Sequence, residues 1–311
     1  MRVRASWTVL AVVVALAGFA CGDDGDAESG AAGEEDSEQT TSSSTAQEEE
    51  APEFPAGTAM SAWQEAGEMV VGTKFDQLGF GKQDPASGDI EGFDAEIARL
   101  VAAAVFGGTA EEAGEKIEFV EAVSKNREPF IQQGRVDLVI ATYTINDTRK
   151  EVVDFAGPYF VARQDIMVKS DNTSIKTVDD LNGKKVCSVT GSTSLVNVQA
   201  KAPDADTSIK FDTYSECADA MSDGRVEAVT TDDTILAGLV QGSGGEFKLL
   251  EAPFSEEPYG IGLKKGNQEL RTFLNDFLEE IFADGQWVDA FQNTLGKLGL
   301  DVPEPPMIDR Y

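Results

Sequence analysis

From Met69 onward, short runs rich in β-forming residues alternate with helical stretches, and this alternation occurs twice along the chain. The strand-like runs of the first round are MVVGTKF, KIEFVEAV and VDLVIATYT. Between them lie an amphipathic stretch, GFDAEIARLVAAAVFG, and a shorter helical one that ends at Gly134. A βαβαβ order of this kind predicts a parallel sheet with helices on both faces.

The second round of alternation indicates a second unit of similar build. We predict a first domain that is discontinuous, over residues 59–162 and 255–311, and a second domain over residues 163–254. Two hinge crossovers near Tyr159–Arg163 and Phe254–Pro258 would join them. The expected fold class is therefore α/β, with two doubly wound domains. Ligands of such sheets bind beyond the carboxyl ends of the strands, so two facing edges would enclose a cleft.

The charge of the chain excludes one large class of functions. There are 56 acidic and 25 basic residues, a formal net charge of -31, and no histidine. A nucleic-acid binder needs a basic face for the phosphate backbone, so we expect no nucleic-acid partner. Without histidine there is no Ser-His-Asp triad and no imidazole ligand or acid–base group. We expect no metal, no cofactor and no catalytic residue.

The first 21 residues have the character of an export signal. Arg2 and Arg4 precede an apolar run that is too short for a good membrane span, which predicts a signal peptide over residues 1–20. The ending LAGFAC resembles a bacterial lipoprotein box, in which Cys21 is acylated, although Gly18 stands where that box usually has leucine. The alternative is ordinary cleavage beside an incidental cysteine. Residues 21–58 contain no Lys or Arg and predict a lipidated, acidic, disordered linker.

Two cysteines remain when Cys21 is set aside. In an exported chain, the leftover pair of Cys187 and Cys217 indicates one disulfide. Such a bridge would cross-link two elements of the second domain. In the chain-entropy model it would contribute on the order of 3 kcal/mol to the free energy of unfolding. We assign it a structural role.

Five longer strings follow one another in an order and spacing typical of one family. They are GFDAEIARLVA, NREPFIQQGRVDLVIATYTINDTRKEVVDFAGPYF, IKTVDDLNGKKVCSVTGSTS, EAVTTDDTIL and EPYGIGLKKGN. Together they resemble the family-3 extracellular solute-binding proteins, which deliver polar amino acids to ABC importers. The resemblance covers about residues 60–300 and implies a periplasmic-binding-protein-like type II fold. GTKFDQ, CSVTGSTS and YSECADA are similar to the actinobacterial glutamate-binding branch.

The resemblance implies a function. It predicts the substrate-binding component of an ABC importer, which captures glutamate or aspartate by closing its cleft and is not an enzyme. We expect a monomer, lipid-anchored at the extracellular face of the cell membrane, with a membrane permease as partner. The alternatives are binding of glutamine or asparagine, a sensor subunit, and a lyase on the same scaffold.

The resemblance also assigns residues to the two ends of the amino-acid backbone. Arg149 would hold the α-carboxylate as a planar bidentate donor, with hydroxyls from Thr142 and Thr144. The alternative is that Arg149 is a surface arginine. Asp232 would pair with the α-ammonium, whereas Asp233 could cap the following helix.

A Gly/Ser/Thr turn at a helix start presents N–H groups to an anion. In VTGSTS the expected contacts are Thr190, Ser192 and Thr193, and the alternative is simple capping of that helix. A further set would surround the ligand side-chain carboxylate: Lys74, Ser124, Arg127 and, by a weaker match, Tyr214. The alternative is that these cations form salt bridges with Asp76 or Glu128.

Overall fold

The computed structural model describes residues 51–311. The predicted signal peptide, Cys21 and the linker up to residue 50 lie outside the described residues, so those predictions stay predictions. Within residues 51–311, no helix combines the length and the apolar character needed to cross a bilayer.

The described chain consists of strands and helices in alternation. The strands are β1 (Met69–Thr73), β2 (Asp76–Gln77), β3 (Gly81–Gln83), β4 (Ile90–Glu91), β5 (Ile117–Glu121), β6 (Leu138–Val139), β7 (Val153–Ala162), β8 (Gln164–Lys169), β9 (Val186–Val189), β10 (Lys210–Phe211), β11 (Ala228–Asp232), β12 (Phe247–Leu249) and β13 (Glu257–Lys264). The α-helices are α1 (Ala59–Ala66), α2 (Phe93–Phe106), α3 (Ala110–Gly114), α4 (Arg127–Gln132), α5 (Asp147–Lys150), α6 (Thr193–Lys201), α7 (Tyr214–Ser222), α8 (Asp233–Gly242), α9 (Gln268–Asp284) and α10 (Gln286–Asn293). Three 3₁₀ turns add Ser124–Asn126, Val178–Leu181 and Leu295–Leu298.

Two five-stranded sheets carry the fold. The first has the order β5-β1-β6-β13-β7 and the second β10-β9-β11-β8-β12, while β2, β3 and β4 form a small separate sheet. We call the part built on the first sheet the first lobe and the part built on the second sheet the second lobe. The predicted α/β class with two sheet-containing domains is confirmed.

The strands of the predicted βαβαβ run, β1, β5 and β6, are parallel as expected, and β9, β10 and β11 are parallel in the second sheet. The expectation of a wholly parallel sheet is corrected, because β7, β8, β12 and β13 add antiparallel pairs and make both sheets mixed. β7 leads directly into β8 across Arg163, and residues 250–256 lead back from β12 to β13. The predicted domain bounds stay a prediction, and the two passages locate where the chain changes sheets.

Helix α2 shows how the sequence forms the core of the first lobe. It begins after Gly92 and ends at Gly107, both with positive φ. Phe93, Ile97 and Val101 are fully buried at helical spacing, as the pattern predicted. The Phe93 ring packs edge-on against Trp287 of α10 with centroids 5.8 Å apart. The C-terminal helices thus complete the first lobe.

The predicted disulfide is present in the second lobe. It joins Cys187 of β9 to Cys217 of α7, and both residues are fully buried. The bridge fixes α7 against the strand that ends at the cleft, which positions the first turn of that helix.

Candidate functional site

The predicted binding residues lie where strands of both lobes end. Lys74 follows β1, Thr142 follows β6, and Asp232 is the last residue of β11. Nine of the eleven predicted ligand residues are buried: Lys74, Ser124, Arg127, Thr142, Thr144, Arg149, Ser192, Tyr214 and Asp232. The other two, Thr190 and Thr193, are half-buried. A polar cluster of this size in the interior requires an explanation, since buried polar groups cost free energy unless they find partners.

The two lobes touch across the site. Arg149 donates through Nη2 to the Gly191 carbonyl at 3.2 Å, and the hydroxyls of Thr144 and Thr193 lie 3.4 Å apart. At the rim, Lys125 of the first lobe pairs with Asp212 of the second at 2.6 Å. The structure therefore shows the lobes in contact around an interior cleft.

The amino group of Lys74 is buried in this cleft. The residue is 2% exposed and donates to the Ser124 hydroxyl at 3.0 Å. Burial lowers the pKa of Lys74 to about 7, and the nearby Arg127 adds to the effect. Among residues 51–311, no carboxylate lies within salt-bridge distance of its Nζ. Asp76 and Asp94 attract the charge of Lys74 from farther away, but neither forms an ion pair with it.

Arg127 is the second buried cation. Its guanidinium donates to three backbone carbonyls, those of Ser124, Ala141 and Thr142, and lies 4.4 Å above the Tyr143 ring. In the described part of the chain it also forms no ion pair. Neither alternative salt bridge exists for these two cations. Asp76 instead accepts backbone N–H groups of α7, and Glu128 pairs with Arg149.

Arg149 is buried, so the alternative of a surface arginine is wrong. Its Nε donates to Glu128 at 3.1 Å and its Nη1 to the Thr144 carbonyl at 2.6 Å. Burial lowers the pKa of Arg149 to about 10, which leaves it protonated at neutral pH. The helix that carries it, α5, is capped by Asn146, whose side chain accepts the Arg149 backbone N–H.

Asp232 is a buried carboxylate on the facing lobe. It accepts the Tyr259 hydroxyl at 2.5 Å and the Ser194 hydroxyl at 3.5 Å. Burial raises the pKa of Asp232 to about 7, with repulsion from Glu257 as the next cause. Asp233 points elsewhere: it accepts from the Arg163 backbone and pairs with the Arg163 guanidinium at the passage between the lobes. It also accepts the Thr234 backbone N–H at 2.9 Å, so its side chain satisfies a backbone donor in the first turn of α8.

Three hydroxyls of the VTGSTS turn, those of Ser192, Thr193 and Ser194, have partners within the protein. Ser192 caps α6 by accepting the Leu195 N–H at 3.0 Å, as the capping alternative expects. Thr193 donates to Glu257 at 2.7 Å, so its oxygen can only accept from a ligand. The Tyr214 hydroxyl lies 3.5 Å from Ser188. Thr190 donates its backbone N–H to the Phe211 carbonyl.

Sequence reasoning missed three buried polar residues at the cleft: Asp94, Glu257 and Tyr259. A signal existed for Asp94, because it shares the apolar stripe of α2 with Ile97 and Val101. An acidic residue on the buried face of an amphipathic helix is unusual and points to a specific partner. No local pattern marks Glu257 and Tyr259, since their partners Thr193 and Asp232 come from the second lobe.

The arrangement matches a known family. Residues 69–297 match the model for the bacterial extracellular solute-binding proteins, family 3. This chain belongs to that family. Family-3 solute-binding proteins with related sequences include the glutamate-binding protein GluB of Corynebacterium glutamicum, which is 40% identical over 80% of this chain and 85% of its own.

The names of two further relatives give glutamine as the ligand. The ABC transporter glutamine-binding protein GlnH of Bacillus subtilis is 37% identical over 78% of this chain and 86% of its own. A solved structure of an ancestral arginine-binding protein bound to glutamine is 39% identical, with a TM-score of 0.66, over 74% of this chain and 98% of its own. By their names these relatives are amino-acid-binding proteins and not enzymes, and the amino acid named differs from one to the next.

Proposed function

We propose that this chain is the substrate-binding component of an ABC importer and that it captures glutamate by cleft closure. The ABC transporter partner is implied by the family. The choice of glutamate over its amide is supported by one observation: Lys74 and Arg127 are buried basic groups of the cleft, and neither forms an ion pair in the described chain. A ligand side-chain carboxylate would offset the cost of burying these charges, whereas the neutral amide of glutamine would not.

The other groups of the cleft fit the backbone of an α-amino acid. Arg149 lies beside Thr144 and can redirect its guanidinium from Gly191 and Glu128 to an α-carboxylate. Asp232 can pair with an α-ammonium, because its two present donors are neutral hydroxyls. The first lobe would then bind both carboxylates and the second lobe the ammonium, so that a zwitterion joins the lobes and favours the closed state.

Calorimetry with glutamate, aspartate, glutamine and asparagine tests the ligand directly. We expect the tightest binding for glutamate, with the ligand recovered chemically unchanged. Glutamine binding more tightly than glutamate would support the alternative that the relatives offer. Turnover of any ligand would instead support an enzyme on this scaffold.

Arg127→Ala separates the side-chain pocket from the rest of the cleft. We expect it to weaken glutamate by about 100-fold but glutamine by less than about fivefold, since a buried charge-assisted hydrogen bond is worth about 2–3 kcal/mol. Arg135→Ala, at an exposed arginine of the same lobe, is the matched control and should change neither affinity. Equal loss for both ligands would refute the side-chain-carboxylate role of Arg127.

The place of the protein in the cell follows from its N-terminus. We propose acylation at Cys21 and retention at the extracellular face of the membrane by that lipid. In cells that carry out this modification, Cys21→Ser should move the protein from the membrane fraction to the medium. Mass spectrometry of the mature N-terminus would detect the diacylglyceryl group, and an unmodified Cys21 would sink the proposal.

A further inference from the structure

Asp94 is a fully buried carboxylate that bonds to the backbone of the binding site. One of its oxygens accepts the Thr142 backbone N–H at 2.8 Å, and the other accepts the Tyr159 hydroxyl at 2.5 Å. Within residues 51–311 no cation lies within salt-bridge distance of it. Because its hydrogen-bond donors are neutral, Asp94 acts here as an acceptor of two hydrogen bonds.

Thr142 has a backbone conformation that threonine rarely adopts. Its φ is 45°, in the left-handed region, where a β-branched residue meets steric strain. Of residues 51–311, Glu251 is the only other non-glycine residue with positive φ. Such a conformation persists only where the surroundings hold it in place. The bond from the Thr142 N–H to Asp94 is one such restraint.

The carbonyl side of the same residue leads to the ligand pocket. Nη1 of Arg127 donates to the Thr142 carbonyl and to the Ala141 carbonyl, both at 3.0 Å. The orientations of the 141–142 and 142–143 peptides, which carry these two carbonyls, therefore set the position of the Arg127 guanidinium. A rotation about φ of Thr142 would move the Thr142 carbonyl and remove one of the bonds that orient the cation.

We propose that Asp94 is a positioning residue for ligand binding: it holds Thr142 in the left-handed conformation and, through the Thr142 carbonyl, fixes Arg127. The role requires a hydrogen-bond acceptor rather than a charge. The inference rests on the proposed amino-acid function only where affinity is the readout.

A double-mutant cycle with glycine at position 142 tests this role. Glycine adopts positive φ without strain, so Thr142→Gly should remove most of the need for Asp94. We expect Asp94→Ala to weaken glutamate by about tenfold or more in the natural background and by less than about threefold in the Thr142→Gly background. Asp94→Asn keeps an acceptor of the same shape and should leave glutamine affinity, which the lost charge affects less, within about threefold.

A readout independent of any ligand completes the test. Hydrogen exchange at the Thr142 amide should be at least about tenfold faster in Asp94→Ala than in the natural protein, and near the natural rate in Asp94→Asn. Equal losses from Asp94→Ala in both backgrounds, or exchange in Asp94→Asn as fast as in Asp94→Ala, would overturn the inference. If the natural protein bound neither glutamate nor glutamine, the proposed function would fail, and the exchange rates would still decide the role of Asp94.

Discussion

Lys74 and Asp232 lose their charges in the same pH range and in opposite directions. Burial brings both pKa values to about 7. A ligand carboxylate beside Lys74 raises its pKa, and a ligand ammonium beside Asp232 lowers the pKa of that carboxyl. Glutamate affinity should therefore fall as the pH rises above about 7, where the empty protein must take up a proton to bind. It should also fall below about 7, where Asp232 must release one. We call these two falls the alkaline limb and the acid limb of the affinity profile. On each limb the affinity can change by up to about tenfold per pH unit.

Glutamine distinguishes the two limbs. Its amide makes no charge pair with Lys74, so we expect glutamine affinity to fall only on the acid side, through Asp232. Calorimetry with both ligands from about pH 5.5 to about pH 8.5 measures this. Lys74→Met should abolish the alkaline limb for glutamate and leave the acid limb in place. The same alkaline fall for glutamine would contradict the assignment of Lys74 to the side chain.

The first N–H groups of helix α7 are hydrogen-bonded by a carboxylate of the other lobe. Its own cap, Thr213, accepts the Glu216 N–H, while Asp76 of the first lobe accepts the N–H groups of Tyr214 at 3.1 Å and Ser215 at 3.4 Å. When the lobes separate, these two N–H groups lose Asp76 as their hydrogen-bond acceptor. The bond is therefore made only in the closed state and favours closure for any ligand.

Asp76→Ala should weaken glutamate and glutamine by the same factor, about fivefold, because a helix-capping acceptor is worth about 1 kcal/mol. Titration by intrinsic fluorescence or calorimetry measures both affinities. Asp212→Ala is the matched control: its ion pair with Lys125 also joins the lobes but is exposed on both sides. We expect less than about a twofold change there. A loss confined to glutamate would mean that Asp76 acts through Lys74 instead.

The elements differ in how well the sequence predicts them, for physical reasons. Helix α2 follows from periodicity because one face is buried and glycines stand at both ends. The run VDLVIATYT forms only the two-residue strand β6, because the chain turns at Thr142, and local propensity does not reveal that turn. β7 has nine buried positions out of ten, so it lacks the alternation that marks a strand. The site residues came from the family resemblance, while their present partners come from distant parts of the chain and, for Thr144, Arg149 and Asp232, from the other lobe.

At the scale of the whole molecule, function depends on how closely two lobes of an acidic protein can approach. A formal net charge of -31 opposes capture of an anion, so the buried cations of the cleft must act at short range, with the lobes closed. The backbones of the two lobes come close together at Gly191. A Cβ atom there would lie 2.7 Å from Cα and 2.8 Å from N of Lys125, across the lobes.

Gly191→Ala should therefore hold the lobes apart. We expect at least about a tenfold loss of affinity for every ligand, since the added Cβ would clash with the Lys125 backbone and keep the lobes from closing. Gly183→Ala is the control, because Gly183 has a similar φ of 75° but no atom within 4 Å of the added Cβ. Both variants carry similar backbone strain, and only the alanine at position 191 meets the other lobe.

Small-angle scattering should show the radius of gyration shrinking on ligand addition in the natural protein and in Gly183→Ala, but not in Gly191→Ala. Equal shrinkage in all three would show that the lobes can bind without this approach, and the clamp would then have to close by a different path.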